Sequence, residues 1–116
     1  MIQIAIMRMR AKKSDHDKVE QAFKDYMDYE HEHPELFHYS STRFYFMDAP
    51  GHPGEETWMF IDHFDDYQKY LDSLGKAVGS DPTTQEHFRR CMALMVPHSV
   101  SERELWTEAE QLRVDF

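Results

Sequence analysis

The segment TRFYFMDAPGHPGEETWMFIDHF, residues 42–64, constrains the fold more than any other part of the chain. Two aromatic and β-branched runs flank a loop, DAPGHPGE, that holds two prolines and two glycines, which is typical of a β-hairpin. If Phe46 pairs with Trp58, alternation places Thr42 opposite Asp62 on the same face. The other face then carries the alternate residues: Ser41, Arg43, Tyr45, Met59, Ile61 and His63.

The hydrophobic pattern of the remaining sequence changes between a period of two and a period of about 3.6, which separates strands from helices. Ser14 and Asp17 resemble a capping box for the first helix, and Pro34 ends it. Gly79 is expected to end the second helix, and Asp81 to cap the third. The predicted elements are strands at residues 2–9, 36–47, 57–64 and 98–106 and helices at residues 12–33, 65–79 and 81–95.

This β-α-β-β-α-β order is the split βαβ pattern of an α+β, ferredoxin-like fold. Right-handed crossovers predict an antiparallel sheet with strand order 4-1-3-2 and with the helices on one face. Because the strands are apolar on both faces, we expect a second copy of the chain to cover the other face. The prediction is one half-barrel domain at residues 1–106 that pairs into a dimeric α+β barrel, with a tail at residues 107–116 that packs on the partner subunit.

The charge balance restricts the partners of this chain. It carries 22 acidic and 13 basic residues among 116, a formal charge of −9, and such a field repels nucleic acid and anionic membranes. No apolar run approaches the roughly 18 residues that span a bilayer, and MIQIAIMRMR reads as a strand rather than a signal peptide. Cys91 is the only cysteine, so no intrachain disulfide can form and a cytoplasmic location is expected.

Polar residues of the hairpin are the candidates for catalysis. His63 and Arg43 share a strand face, and we expect that face to meet a pocket. A neutral imidazole there can take a phenolic proton, and a guanidinium can hold the resulting anion. Asp62, beside Thr42 on the other face, is an alternative base. The competing interpretation is that His63 and Arg43 are rim or interface residues with satisfied hydrogen bonds.

The hairpin also offers an aromatic wall on which a planar ligand can stack. The predicted substrate-binding residues are Trp58, Tyr45, Phe44 and Phe60, with His98 at the pocket mouth. The competing interpretation is that these side chains form the core or a subunit interface.

The segment YEHEHPE, residues 29–35, looks like a metal cluster. On a helix, however, His31 and His33 point about 200° apart, so they do not share a face. Glu30 and His33 do share a face, but a solvated polar helix end is the simpler interpretation. No metal site and no cofactor are therefore predicted, and the chain has no phosphate-binding glycine loop and no Cys-x-x-Cys pair.

With these elements in place, the chain resembles the dimeric α+β-barrel superfamily, which includes antibiotic-biosynthesis and haem-degrading monooxygenases, NIPSNAP-like proteins and stress-responsive barrel proteins. The element order and the segments WMFIDHFDDYQKYLDSL (58–74) and SERELWTE (101–108) carry the resemblance. It implies that two sheets meet face to face and that each subunit keeps a pocket between sheet and helices. Haem-degrading and several quinone-forming members use an asparagine with a tryptophan. This chain has Trp58 but no asparagine.

The resemblance implies two main classes of function. One is a small-molecule enzyme, a cofactor-independent monooxygenase or an isomerase or cyclase, which abstracts a proton from an aromatic or polyketide-like substrate in a dry pocket. The other is a non-catalytic barrel that binds a ligand or a partner. A haem-binding protein is a third alternative, although no histidine has a diagnostic context.

Overall fold

The computed structural model describes residues 2–116, which form one four-stranded sheet covered on one face by three helices. The strands are β1 (Gln3–Lys12), β2 (Ser41–Asp48), β3 (Glu55–Phe64) and β4 (Glu104–Thr107), and the helices are α1 (His16–Glu32), α2 (Tyr67–Ser80) and α3 (Pro82–Ala93). The sheet is antiparallel with order β2-β3-β1-β4, which confirms the predicted α+β topology. Each helix within the described residues is too short or too polar to cross a bilayer.

The hairpin of β2 and β3 has the predicted register. Phe46 lies opposite Trp58 and Thr42 opposite Asp62. We call the side of the sheet that meets the helices the helix face, and the opposite side the outer face. The helix face carries Ala5, Met7, Met9, Thr42, Phe44, Phe46, Trp58, Phe60 and Asp62. The outer face carries Ile4, Ile6, Ser41, Arg43, Tyr45, Met59, Ile61, His63 and Trp106.

The core lies between the helix face and the three helices. Phe23 of α1 stacks on Phe44 with ring centroids 4.7 Å apart and meets the edge of Trp58 at 5.5 Å. Met9 of β1 and Val19 of α1 are almost completely buried beside them. Each such side chain contributes about 1.5–3 kcal/mol when it leaves water, so this contact holds α1 on the sheet.

The segment between α1 and β2 corrects the predicted start of the second strand. β2 begins at Ser41 rather than at Leu36, because the chain turns after Pro34 and the Leu36 N–H donates to the His33 carbonyl at 3.0 Å. This turn places Phe37 in the core, where it is 6% exposed. A run that looked like strand is therefore a turn and a loop of which Phe37 is the buried residue.

Two helix ends also differ from expectation. The Ser14–Asp17 capping box is absent: residues 13–15 form a 3₁₀ turn, and α1 starts after Asp15, whose side chain makes no capping bond. Gly79 does not end α2, which continues to Ser80, because Gly79 keeps a negative φ and the Asp81 N–H still bonds to the Ala77 carbonyl.

Asp81 joins α2 to α3 and confirms the predicted N-cap. Its carboxylate accepts hydrogen bonds from the Thr84 backbone N–H at 3.1 Å and from the Thr84 hydroxyl at 2.6 Å. The Tyr29 hydroxyl of α1 donates to the same oxygen at 2.5 Å. One carboxylate therefore caps α3 and also ties it to α1.

We expect Asp81→Ala to destabilise the chain by about 2 kcal/mol, the upper end of the range for N-cap removal, because it also releases Tyr29. Asp66→Ala is the matched control. Asp66 caps α2 by accepting a hydrogen bond from the Lys69 N–H at 3.1 Å, and the loss of this bond should cost about 1 kcal/mol. Urea unfolding of both variants measures the difference, and equal losses would show that the link to Tyr29 contributes nothing.

Candidate functional site

A cavity of about 450 Å³ lies between the helix face of the sheet and the three helices. Its size is within the range of small-molecule sites in proteins. Its walls are mostly apolar and sulfur-rich, with Met7, Met92, Phe44, Phe60 and Leu74 among the lining side chains. Methionine adapts its shape readily, so these walls suit a planar, apolar ligand.

Three charged side chains reach this cavity. Asp62 comes from β3, Glu30 from the last turn of α1, and Arg103 from the segment before β4. Asp62 and Glu30 are 5% and 7% exposed, whereas Arg103 is exposed at the rim, with its guanidinium carbon 5.7 Å from the centroid of the Tyr70 ring. The apolar cavity therefore contains two buried carboxyl groups.

Two hydroxyl groups hold Asp62 in place. Tyr70, which is fully buried in α2, donates to Oδ2 at 2.5 Å, and Thr42 of β2 donates to Oδ1 at 2.9 Å. Burial raises the pKa of Asp62, while these two hydrogen bonds and the charge of Arg103 oppose the increase. Both carboxyl oxygens of Asp62 are thus held in one orientation. The two hydroxyl donors stabilise the ionised form of Asp62 and offset part of the effect of burial.

Glu30 has a different environment. Its Oε2 is buried and has no hydrogen-bond partner among residues 2–116. Burial raises the pKa of Glu30 to about 8, the charge of Asp62 adds to the increase, and the neighbouring Tyr26 hydroxyl opposes it. Glu30 also lies at the negative end of the α1 dipole, which disfavours a carboxylate. Glu30 therefore holds its proton at neutral pH.

The burial of Glu30 corrects the sequence interpretation of a solvated helix end. Glu30 follows Tyr26 by four residues and Phe23 by seven, so it continues the apolar stripe of α1. In the sequence, the apolar residues of that stripe end at Met27. A glutamate in register with a buried stripe is the signal that would have identified it.

The structure places some of the predicted site residues at the cavity and others away from it. Asp62, Phe44 and Phe60 line the cavity. Trp58 is on the helix face but is packed into the core beside Phe23, and its Nε1 has no hydrogen-bond partner. The roles of these four residues in binding or catalysis stay predictions.

The remaining predicted residues do not meet this cavity, contrary to the expectation that their face lines it. His63, Arg43 and Tyr45 are on the outer face, because side chains alternate along each strand and their neighbours point to the helices. The Nδ1 atom of His63 is buried without a partner. His98 lies in the exposed loop after α3 with a φ of 63°. Any function of these four residues must therefore lie outside the cavity.

Histidines and the cysteine do not form a metal centre in the described part of the chain. His33 bonds through Nδ1 to Glu35 at 3.0 Å, and no group of three or more His, Cys, Asp or Glu side chains within residues 2–116 is arranged to hold an ion. Cys91 lines the cavity, and burial raises its pKa to about 11, so its thiol stays protonated.

Solved structures with the same architecture include an oxygenase, a NIPSNAP family protein and a dimeric protein of unknown function. A cofactor-independent oxygenase, SnoaB from Streptomyces nogalater, matches with a TM-score of 0.58 and 13% identity over 97% of this chain and 98% of its own. A NIPSNAP family protein from Agrobacterium tumefaciens matches with 0.58 and 14% over 97% and 100%. A dimeric ferredoxin-like protein of unknown function from Jannaschia sp. CCS1 matches with 0.58 and 17% over 91% and 99%.

The chain has the ferredoxin-like fold of these proteins. No protein-family profile matches the sequence, and no curated protein is significantly similar to it. At identities of 13–17%, the similarity shows a common fold and does not extend to the reaction. Because the fold does not determine the function, the function of this chain must be argued from the cavity and its two carboxyl groups.

We expect stability to fall between about pH 4.5 and pH 8, because Glu30 binds its proton more tightly in the folded chain than in the unfolded one. At about 1.4 kcal/mol per pH unit, Glu30 alone contributes on the order of 4 kcal/mol to this loss, and Asp62 contributes in the same direction. Glu30→Gln should remove the part of the pH dependence of stability that Glu30 causes. Urea unfolding at several pH values across that range measures this change.

Glu32→Gln is the control for that experiment, since Glu32 is exposed in the same helical turn. It should retain the pH dependence of the unmodified chain. If Glu30→Gln and Glu32→Gln have the same slope, Glu30 is not a desolvated carboxyl group.

Proposed function

We propose that this chain is a small-molecule enzyme that binds a planar, largely apolar molecule in the cavity and removes a proton from it with Asp62. The observation that supports this proposal is a buried carboxylate, oriented by Tyr70 and Thr42, inside an apolar cavity. A carboxylate in such surroundings is poorly solvated, and its raised pKa makes it a stronger base than aspartate in water.

Proton abstraction is the step common to the reactions considered from the sequence. An isomerase or cyclase needs only this transfer and its reversal. In a cofactor-independent monooxygenase, the resulting carbanion or phenolate reacts directly with dioxygen. SnoaB is described as a cofactor-independent oxygenase, which favours that branch for an aromatic or polyketide-like substrate. No histidine lines the cavity, so the haem alternative gains no support from it.

We also propose that the chain works as a homodimer whose subunits meet through the outer face. That face combines Ile4, Ile61 and Met59 with Tyr45 and Trp106, which are 47% and 52% exposed. Large apolar side chains that are grouped and exposed in this way are typical of an interaction surface. The Jannaschia protein of the same fold is described as dimeric.

In this homodimer the tail supplies a second apolar contact. Leu112, Val114 and Phe116 are spaced by two residues and are strongly exposed. The partner subunit is the surface that they fit, which retains the predicted role of residues 107–116. His63 and Arg43 are then interface residues, the competing interpretation given from the sequence. The buried, unpaired Cys91 agrees with a reducing cytoplasm as the proposed compartment.

We expect the chain to catalyse exchange of the acidic C–H protons of 2-tetralone, a neutral bicyclic ketone, in deuterated water above the spontaneous rate. Asp62→Asn should reduce the catalysed rate by about 10² or more, because it removes the base. Gly75→Leu should reduce it too, since Gly75 lines the cavity and an added side chain there meets open space. Proton NMR measures the exchange.

Gly79→Leu is the matched control. It lies one turn farther along α2, has equally free surroundings and does not line the cavity, so it should retain full exchange. Both leucines improve helix propensity by about the same amount. Fluorescence titration with 2-naphthol checks that Asp62→Asn still binds a planar ligand. Equal exchange by Asp62→Asn and the unmodified chain would refute the proposed base. Binding by the unmodified chain without exchange would favour the non-catalytic barrel.

Two variants of β2 test the homodimer. Each adds one negative charge, the first on the outer face and the second on the helix face. Tyr45→Glu should shift the sedimentation coefficient from dimer to monomer, because each subunit would bury one unpaired charge in the proposed interface. Phe46→Glu places the same charge at the next residue, which is 57% exposed on the helix face, and should remain dimeric. A monomeric unmodified chain at micromolar concentration would contradict the paired barrel.

A further inference from the structure

Glu30 has a buried polar atom that nothing within the described residues satisfies. Glu30 as a residue lines the cavity and is 7% exposed, while its Oε2 atom is closed off from solvent. A buried carboxyl oxygen without a partner is costly to ionise, which favours the protonated form of Glu30. Asp62, on the sheet side of the same cavity, already has two donors.

We propose that Glu30 is the proton donor of the reaction in which Asp62 is the base, and that the substrate is a ketone with an acidic C–H beside its carbonyl. This inference rests on the proposed function. A base on β3 and a donor on α1 bound one cavity from two sides, which is the arrangement that enolisation requires.

The step is balanced without an oxidant or a cofactor. The Asp62 carboxylate takes the proton of the C–H bond, and the electron pair of that bond forms a carbon–carbon double bond. The carbonyl π electrons move to oxygen, which takes the proton of the Glu30 carboxyl group. The product is a neutral enol, with Asp62 protonated and Glu30 ionised. Return of the proton to a different carbon of a conjugated enol completes an isomerisation. Exchange results when the proton on Asp62 is replaced by a deuteron from the solvent before it returns to the same carbon.

The charge of the site does not change during this step. Two ionised carboxylates in one apolar cavity repel each other, so the pair favours one shared proton before and after the transfer. Burial and the charge of Asp62 raise the pKa of Glu30 to about 8, so the proton begins on Glu30. Tyr26 faces Glu30, while Tyr70, Thr42, Arg103 and His63 act on Asp62 and favour its ionised form.

A carbonyl compound fits this pair better than an amine does. A cationic amine would pair with ionised Asp62, but an ammonium group has no acceptor for the proton of Glu30. A ketone oxygen accepts from protonated Glu30, and its acidic C–H meets the Asp62 carboxylate. The two groups then serve one substrate in opposite roles, as is general for titratable pairs whose surroundings differ.

The test uses two variants of Glu30 in the 2-tetralone exchange. Glu30→Leu should lower the rate by about 10² or more, because it removes the donor. Glu30→Gln should retain an intermediate rate, since its amide N–H still hydrogen-bonds to the ketone oxygen but cannot transfer a proton. The unmodified chain should lose activity above about pH 8, where Glu30 ionises, and Glu30→Gln should lack this alkaline decrease.

The outcomes separate this inference from the function on which it rests. If Glu30→Leu exchanges 2-tetralone as fast as the unmodified chain, with the same pH profile, the donor role is refuted while Asp62 remains the base. If the unmodified chain does not exchange 2-tetralone, both proposals fail. Tighter binding of 2-aminotetralin than of 2-tetralone, lost in Glu30→Gln, would mean that the pair is a cation site and would overturn the ketone assignment.

Discussion

Alternation of side chains along β3 decides which polar groups reach the cavity. Asp62 and His63 are consecutive, so one must face the helices and the other must face away. The long pairing of β3 with β1, from Gln3–Phe64 to Lys12–Glu55, holds this register, because a slip of one residue would expose Trp58 and bury Met59 instead. The strand register therefore places the Asp62 carboxyl group at the cavity, and it places the His63 imidazole and the Arg43 guanidinium on the other face of the sheet.

Desolvation connects stability to function in this cavity. Burying Glu30 without a partner for Oε2 costs free energy, and the raised pKa of Glu30 is the same cost expressed as proton affinity. Asp62 is stabilised more fully by Tyr70 and Thr42, and this difference between the two carboxyl groups separates the proposed donor from the proposed base.

The two faces of the sheet have different roles. The helix face forms the core and the cavity. The outer face, with Tyr45 and Trp106, is the subunit interface of the proposed dimer. The cavity is lined by residues of the helix face and of the helices, so a partner on the outer face would lie across the sheet from it. Pairing and chemistry then use opposite sides of one sheet and can be tested separately.

The sequence by itself determined the strand order, the register of Phe46 with Trp58 and the cap at Asp81, because these depend on local periodicity, turn residues and crossover handedness. It could not determine which apolar face the helices cover, since both faces carry large apolar side chains. Only the tertiary structure decided that Asp62 faces the cavity and that Glu30 is buried. The physical reason is that burial of a polar group depends on where the last turn of α1 meets the sheet, and that contact joins residues far apart in the chain.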